Sequence, residues 1–392
     1  MEVRDLSILF IISKMGKGGA QHIVLDLANA MAAGGAQVDL LIFYRTAQDQ
    51  SILAELDSRV GLLNIFPIAL ASDHENSPKK IFAFLLLPFL AFWWTVSGRL
   101  AKYHIVHSNL MLASFFAWIC SVFQFLSRKP APKYVETFHS DLVSLLPWER
   151  KLFYLFWKMS DSLVVELRRR DFEILQKEMP GHHISYIPFG IFPLEMPDRN
   201  EIVAHKKIYR DTPIILSIMR LQQHQKRVLD LLMVIDQFRK IYSGSFIYLL
   251  VGDGPDRQRA QEFVRSAGLD EYVKFTGYMD DIRLICATAR VFLIAGIEDL
   301  VGIAGLQAAS LGVPIVSLQM DQEWKNTESI FFNSASHQVL AEELERLVRD
   351  DAYYKNASGY AASTVQSTFS VDQMVASYAR VYTSIVTKEK TG

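Results

Sequence analysis

The sequence predicts an α/β protein made of two doubly wound, Rossmann-like domains that face each other across a cleft. Three observations lead there. With 392 residues, the chain has room for two domains of roughly 150 residues, each with a full-sized core. Short continuous apolar runs of strand length recur along it, and helical segments separate nearly all of them. That is the pattern of parallel strands buried on both faces. A polar, charged, proline-containing stretch, FPLEMPDRNEIVAHKKIYRDTP at 192–213, divides the runs into two sets and reads as a linker. The expected organisation is a domain at 1–195, a second at 205–368, and a closing helical segment at 369–392.

The first set of strand candidates is LSILFIIS (6–13), QVDLLIF (37–43), HIVH (104–107), KYVETFH (133–139), SLVVE (162–166) and ISYIP (184–188). The first run has acidic residues ahead of it and is too short and poor for a signal peptide, so it is read as a strand. The second set is PIILSI (213–218), FIYLLVG (246–252), VKFTG (273–277), VFLIA (291–295) and PIVSL (314–318). No repeat or low-complexity tract interrupts either set.

Two very apolar runs, 81–98 and 110–126, lie within the first set. No acidic residue occurs between Glu75 and Glu136, whereas Lys79, Lys80, Arg99, Lys102, Arg128, Lys129 and Lys133 flank the runs. Pro88 interrupts the first run, and lysines and Arg99 bracket it closely. Three readings fit: helices buried on the sheet, a helix in the interface of an anionic membrane, or a span.

A formal net charge of −1 with half the residues apolar argues against a disordered chain and against generic nucleic-acid binding. The only two cysteines, Cys120 and Cys286, sit in apolar runs. They are expected as buried free thiols, which fits a reducing, cytoplasmic compartment.

Ligands of such domains sit at the carboxyl ends of strands, where the next helix begins. The turn SKMGKGG after the first strand carries Gly16, Gly18 and Gly19 ahead of a helix from about Gln21 to Met31. Alone it fits a ligand loop or a plain loop, and it is not a phosphate loop, since Lys17 is not followed by Ser or Thr. The turn GIEDLVG (296–302) is more informative: Asp299 and Gly302 precede a helix beginning near Ile303 and ending at Gly312 and Pro314. Its unsatisfied N–H groups favour an anion such as a diphosphate, and Gln307 lies one to two turns in. Arg220 and Lys226, in RLQQHQKR, supply cations at another strand end. Singly they read as surface ion-pairing residues; with the helix end they read as a phosphate clamp.

In this order the motifs resemble those of the GT-B glycosyltransferases of family 4, which are retaining and use nucleotide sugars. GGAQHIVLDLA is similar to that family's GGAE loop and helix, and YHIVHSN and ETFHSD to its histidine-containing strand ends. RLQQHQKR resembles its arginine and lysine motif, VGDGPDR its VGxGP turn, and FTGYMDD its F-x-G loop. DLVGIAGLQAASLGVPIV resembles the element in which two glutamates bracket a glycine ahead of A-x-x-G-x-P. FSVDQMVASYARVY resembles the terminal helix that crosses back to the first domain. The likeness runs along nearly the whole chain.

The resemblance implies roles. Arg220 and Lys226 would neutralise the donor diphosphate without a metal or other cofactor. Asp299 would contact the sugar and Gln307 the ribose. Gly18, Gly19, Gly252, Gly277, Gly302 and Ile303 would line the donor site through their backbones. His139 would face the reaction centre and orient donor or acceptor, whereas His107 is read as structural. The implied partners are a nucleotide diphosphate sugar and a saccharide or lipid-linked acceptor, with peripheral contact to an anionic membrane at its cytoplasmic face and no nucleic acid. Several positions depart from the pattern: Asp299 and Gln307 replace glutamates, Glu298 is an alternative sugar contact, and Gln21, Glu166 and Phe189 replace Glu, Ser and Asn. Arg220 and Lys226 are also one residue further apart. An epimerase on the same scaffold and a non-catalytic binding module stay open as alternatives.

Overall fold

The computed structural model describes residues 2–15, 19–44, 52–65, 78–127, 131–139, 142, 145–166, 169–296, 301–319 and 331–387. The chain divides into two compact units: Met1–Gly190 with Val371–Gly392, and Ile191–Ser370. Each is a doubly wound parallel sheet, as the apolar runs predict.

The first unit holds seven parallel strands in the order β3-β2-β1-β4-β5-β6-β7. They are β1 (Ser7–Lys14), β2 (Gln37–Tyr44), β3 (Gly61–Asn64), β4 (Ile105–Asn109), β5 (Lys133–Phe138), β6 (Ser162–Val165) and β7 (Ile184–Tyr186). β1 and β4 lie together at the centre, with Phe10 beside His107 and Ile12 beside Asn109. Six of the eight residues of β1 and all of β4 and β6 are buried. Strands covered on both faces have no reason to alternate apolar and polar residues, hence the continuous runs.

Helices α1 (Gly19–Ala33), α2 (Pro78–Val96), α3 (Met111–Ser127), α4 (Pro147–Trp157) and α5 (Arg169–Glu178) connect these strands. The two apolar runs are α2 and α3, packed on each other. One face of α2 (Leu87, Ala91, Trp94) joins the core with Phe116, Ala117 and Cys120 of α3. The other face leaves Leu85, Phe89, Phe92, Trp93 and Val96 exposed. Among the described residues no helix is long and apolar enough to cross a membrane. Cys120 and Cys286 are free and buried.

The second unit has six parallel strands in the order β10-β9-β8-β11-β12-β13: β8 (Ile214–Ile218), β9 (Ile247–Val251), β10 (Val273–Gly277), β11 (Val291–Gly296), β12 (Ile315–Gln319) and β13 (Phe332–Ser334). Its helices are α6 (Arg199–Ile208), α7 (Gln223–Lys226), α8 (Val228–Ile241), α9 (Arg257–Ser266), α10 (Arg283–Thr288), α11 (Gly302–Ser310), α12 (His337–Arg349) and α13 (Asp351–Thr368). The last helix, α14 (Val371–Thr387), belongs to the first unit, where it packs on α1.

The structure departs from the sequence expectation in two respects. The unit boundary at Gly190/Ile191 falls ahead of the expected domain end at 195 and just before the expected linker at 192–213. Within the linker stretch lies α6, started by a capping box in which Asp198 accepts from Asn200 N at 2.7 Å and Glu201 accepts from Asp198 N at 3.1 Å. No residue of α6 is buried, so its composition is that of a solvated linker although it packs on α10. Strands β3 and β13 were also unforeseen. Both are short, half-buried edge strands, GLLN and FNS, without an apolar run.

Candidate functional site

In the second unit the strand order turns back between β8 and β11, which lie parallel with Val291 beside Ile215 and Phe292 beside Leu216. Such a switch point opens a crevice at the carboxyl ends of the two strands. β8 runs into Met219 and Arg220 and then into α7, which ends at Lys226 and packs on β11. β11 leads toward α11, which begins at Gly302. Sheet topology therefore brings to one crevice the arginine, the lysine and the helix start that the sequence singles out.

The turns at this edge are held by backbone. Met219 N donates to Val251 O at 3.0 Å, Leu221 N to Asp253 O at 3.0 Å, and Asp256 N to Leu221 O at 3.0 Å. Gly252, at φ +125°, lets the Met219 carbonyl approach, and a Cβ there would lie 1.9 Å from that oxygen. A Cβ on Gly254 would lie 2.4 Å from Leu221 O. The glycines of VGDGP thus grip both neighbours of Arg220. Gly277, at φ +78°, accepts from Gly252 N at 2.8 Å and ties the third turn to the second.

Arg220 is exposed and makes no ion pair with any described residue. On the far side of α7, Arg227 sits in the left-handed region at φ +49° and bonds Asp230 at 2.7 Å. Gln223 is held at its N–H by Asp256 (2.8 Å) and at its side chain by Asp230 (2.7 Å). The short helix that carries Lys226 is thus braced from both ends.

Among the described residues no side chain caps the start of α11, whose N-cap is Val301, and the N–H groups of such a first turn suit an anion. Gly302 takes φ +68° at its start, Ile303 follows, and Gln307 is half-buried. Gly305 packs on β11, where a Cβ would lie 3.3 Å from the Phe292 ring. Glu298 and Asp299, the two candidates for the sugar contact, lie outside the described residues, as does Gly18. Gly19 opens α1 in the first unit.

His139 follows β5 in the first unit. Its side chain is 3% exposed, with Nδ1 2.7 Å from Glu166 Oε2 and Nε2 2.8 Å from Asn109 Oδ1. His107 is fully buried on β4, bonded to Tyr382 and Thr137. Burial, and next the charge of His139, push its pKa down to about 3. Glu136, on the neighbouring strand, is also buried, and burial pushes its carboxyl up to about 8 against hydroxyl bonds from Ser114 and Ser108.

Sequence reasoning passed over Asn109 and treated Glu166 only as a departure from a motif. The signal was there: HSN, ETFH and VVE put polar side chains at the ends of central strands, where burial demands partners.

Residues 212–350 match the family model "Glycosyl transferases group 1". The chain is 23% identical over 172 residues to N-acetyl-alpha-D-glucosaminyl L-malate synthase of Bacillus anthracis, covering 43% of this chain and 44% of that protein. It is 21% identical over 178 residues to the lipopolysaccharide core biosynthesis glycosyltransferase LpsE of Rhizobium meliloti, covering 44% and 51%. The chain thus spans about half the length of the curated relatives it matches. Its fold is similar to that of Anabaena HepE, solved in complex with UDP, at TM-score 0.74 and 16% identity over 97% of this chain and all of that one.

Proposed function

We propose that this chain, which has the GT-B fold and carries a glycosyl transferases group 1 domain in residues 212–350, moves a sugar from a nucleotide diphosphate sugar to an acceptor hydroxyl with retention. The observation that carries the reading is the crevice between β8 and β11, where Arg220, α7 with Lys226 and the start of α11 converge. Arg220 and Lys226 neutralise the diphosphate in place of a metal, and the N–H groups at Gly302 and Ile303 add to the field. Gln307 holds the ribose, and Asp299 or Glu298 the sugar. Backbone at Gly252 and Gly277 completes the second unit's share of the donor site. The bond from the anomeric carbon to the diphosphate oxygen breaks, and a bond to the acceptor oxygen forms on the same face. The acceptor proton passes to the departing phosphate. The complex of the similarly folded HepE with UDP supports a nucleotide diphosphate at this site.

A lipid-linked or membrane-borne acceptor is supported by the surface of the first unit. Leu85, Phe89, Phe92, Trp93 and Val96 on α2, and Trp148, Leu152, Leu155 and Met159 on and beyond α4, are exposed. Their spacings of three, four and seven mark one face on each helix. Arg99, Lys151 and Lys158 are exposed nearby in sequence, which suits anionic head groups. Such a surface supports a peripheral location on the cytoplasmic face of the membrane and, with it, a role in surface polysaccharide assembly.

The test is incubation with radiolabelled nucleotide sugars, with and without membrane lipid extract, and with and without chelator. Label moved into lipid, unaffected by chelator, is the expected result. Release of an altered free sugar without acceptor would identify an epimerase, and no turnover with any donor would leave a binding module.

A further inference from the structure

Lys226 stands at the end of a helix that cannot hold its own shape. α7 has four residues, too few for a helix that is stable alone, and its N-cap Gln222 makes no side-chain cap bond. The next residue, Arg227, takes the left-handed conformation at φ +49°, which residues with a side chain rarely adopt. It is at once the C-cap of α7 and the N-cap of α8. Bonds from outside the helix therefore have to set where Lys226 stands.

Gln223 and Asp230 supply them. Gln223 N donates to Asp256 Oδ2 at 2.8 Å, directly after the VGDGP turn. Its side chain reaches across α7 to the first turn of α8, where Oε1 accepts from Leu229 N at 2.8 Å and Nε2 donates to Asp230 Oδ2 at 2.7 Å. Asp230 Oδ1 accepts from Arg227 Nη2 at 2.7 Å. Asp256 N in turn donates to Leu221 O at 3.0 Å, so the segments before and after α7 are tied to each other.

The polarity of the central bond follows from its neighbours. A backbone N–H only donates, so Oε1 of Gln223 must face Leu229 and the amide nitrogen must face Asp230. Asp230 then has to offer an acceptor on each oxygen, as a carboxylate does. Burial pushes this carboxyl up, but the bonds from Arg227 and Gln223, with the charges of Arg227 and His337, bring it below its ordinary range.

We infer that Gln223 and Asp230 are positioning residues for Lys226: their side chains form a staple across α7 whose donor–acceptor polarity fixes where the ammonium group stands at the β8–β11 crevice. The role rests on the diphosphate clamp proposed above; the staple itself does not. Both residues act through α7 and need no contact with the donor.

Asp230→Asn separates this role from an effect of charge. Removing a negative charge near an anion site should by Coulomb attraction alone tighten a diphosphate. The staple predicts the reverse, because the new amide sets a donor against Gln223 Nε2 or against Arg227. Gln223→Glu sets two carboxylates against each other. The two changes together reverse the central bond, leave Leu229 N and Arg227 with acceptors, and conserve the total charge.

The experiment titrates UDP and GDP into the full-length protein by calorimetry, with the better of the two in the wild type serving as probe for the variants. Each single variant should weaken binding about fivefold. The double variant should return to within about twofold of the wild type, and Asp230→Asn should cost nothing further when added to Lys226→Ala. Wild-type or tighter binding by Asp230→Asn, no recovery in the double variant, or an equal loss with and without Lys226 overturns the proposal. If a charge-changing variant fails to fold, Gln223→Met, of similar length but unable to make either side-chain bond, decides: the same weakening supports the staple and wild-type affinity overturns it. Wild-type affinity in Lys226→Ala, or binding of neither nucleotide by the wild type, defeats the clamp and this role together. Weakened binding in Lys226→Ala beside wild-type affinity in Asp230→Asn defeats this role alone.

Discussion

Gly252 and Met219 are packed so closely that a side chain on the glycine has nowhere to go: a Cβ would stand 1.9 Å from the Met219 carbonyl oxygen, at a φ of +125°. Gly252→Ala must push the β9 turn away from the segment bearing Arg220. The expected cost is at least about 2 kcal/mol, with a lower Tm and weaker nucleotide diphosphate binding measured by calorimetry. Gly359, exposed within α13 and with nothing near its missing Cβ, is the contrast. Gly359→Ala should stabilise by about 0.5–1 kcal/mol and leave binding unchanged.

The clamp makes a kinetic prediction. Lys226→Ala and Arg220→Ala should each weaken the nucleotide diphosphate and slow transfer at least about tenfold, which is about 1.4 kcal/mol. Gln307→Ala, which removes a contact made before and during reaction, should raise KM more than it lowers kcat. Steady-state kinetics with the cognate donor checks both, and wild-type constants in Lys226→Ala would remove the clamp from the mechanism.

Glu136 predicts a pH dependence of stability. Its carboxyl, pushed up to about 8 in the folded chain, lies near 4.5 when exposed, so the unfolded chain loses this proton first. The stability associated with the protonated carboxyl is therefore complete below about pH 4.5 and is lost as pH rises through about 8. Glu136→Gln cannot ionise. The Tm of the variant minus that of the wild type should grow over that interval and level off above it, as followed by thermal unfolding across a buffer series.

The exposed face of α2 predicts membrane binding that a charge abolishes. Phe89 and Trp93 are 64% and 52% exposed, so replacing both with Glu should cost little stability. The variant should no longer co-sediment with anionic vesicles. Wild-type binding should weaken in high salt, as head-group attraction is screened. Equal sedimentation of wild type and variant would assign the face elsewhere.

Much of this architecture is legible in the residues themselves. ILFII, IYLLV and VFLIA announce strands because a strand buried on both faces can be apolar at every position, and the turns after β9, β10 and β11 announce sites because Gly252, Gly277 and Gly302 occupy positive φ. GLLN and FNS escape notice because edge strands are half-buried and need no such run. The helix Arg199–Ile208 escapes because none of its residues is buried, leaving only Asp198 and Glu201 as a local mark.

The sequence by itself determined the two sets of parallel strands, the pairing of each turn with its chemistry, and the candidacy of Arg220, Lys226 and His139. The strands and turns follow from local periodicity and local backbone demands, whereas His139 is a candidate only through the resemblance of ETFHSD to a family motif. Tertiary structure alone decided that Glu166 is the partner of His139, that Tyr378 reaches Glu166 from 212 residues away, and that Tyr382 reaches His107 from 275. Those contacts depend on the strand order β1-β4-β5-β6 and on the last helix returning to the first unit. No local pattern encodes them, because a buried hydrogen-bonding group requires a partner without specifying where in the chain that partner comes from.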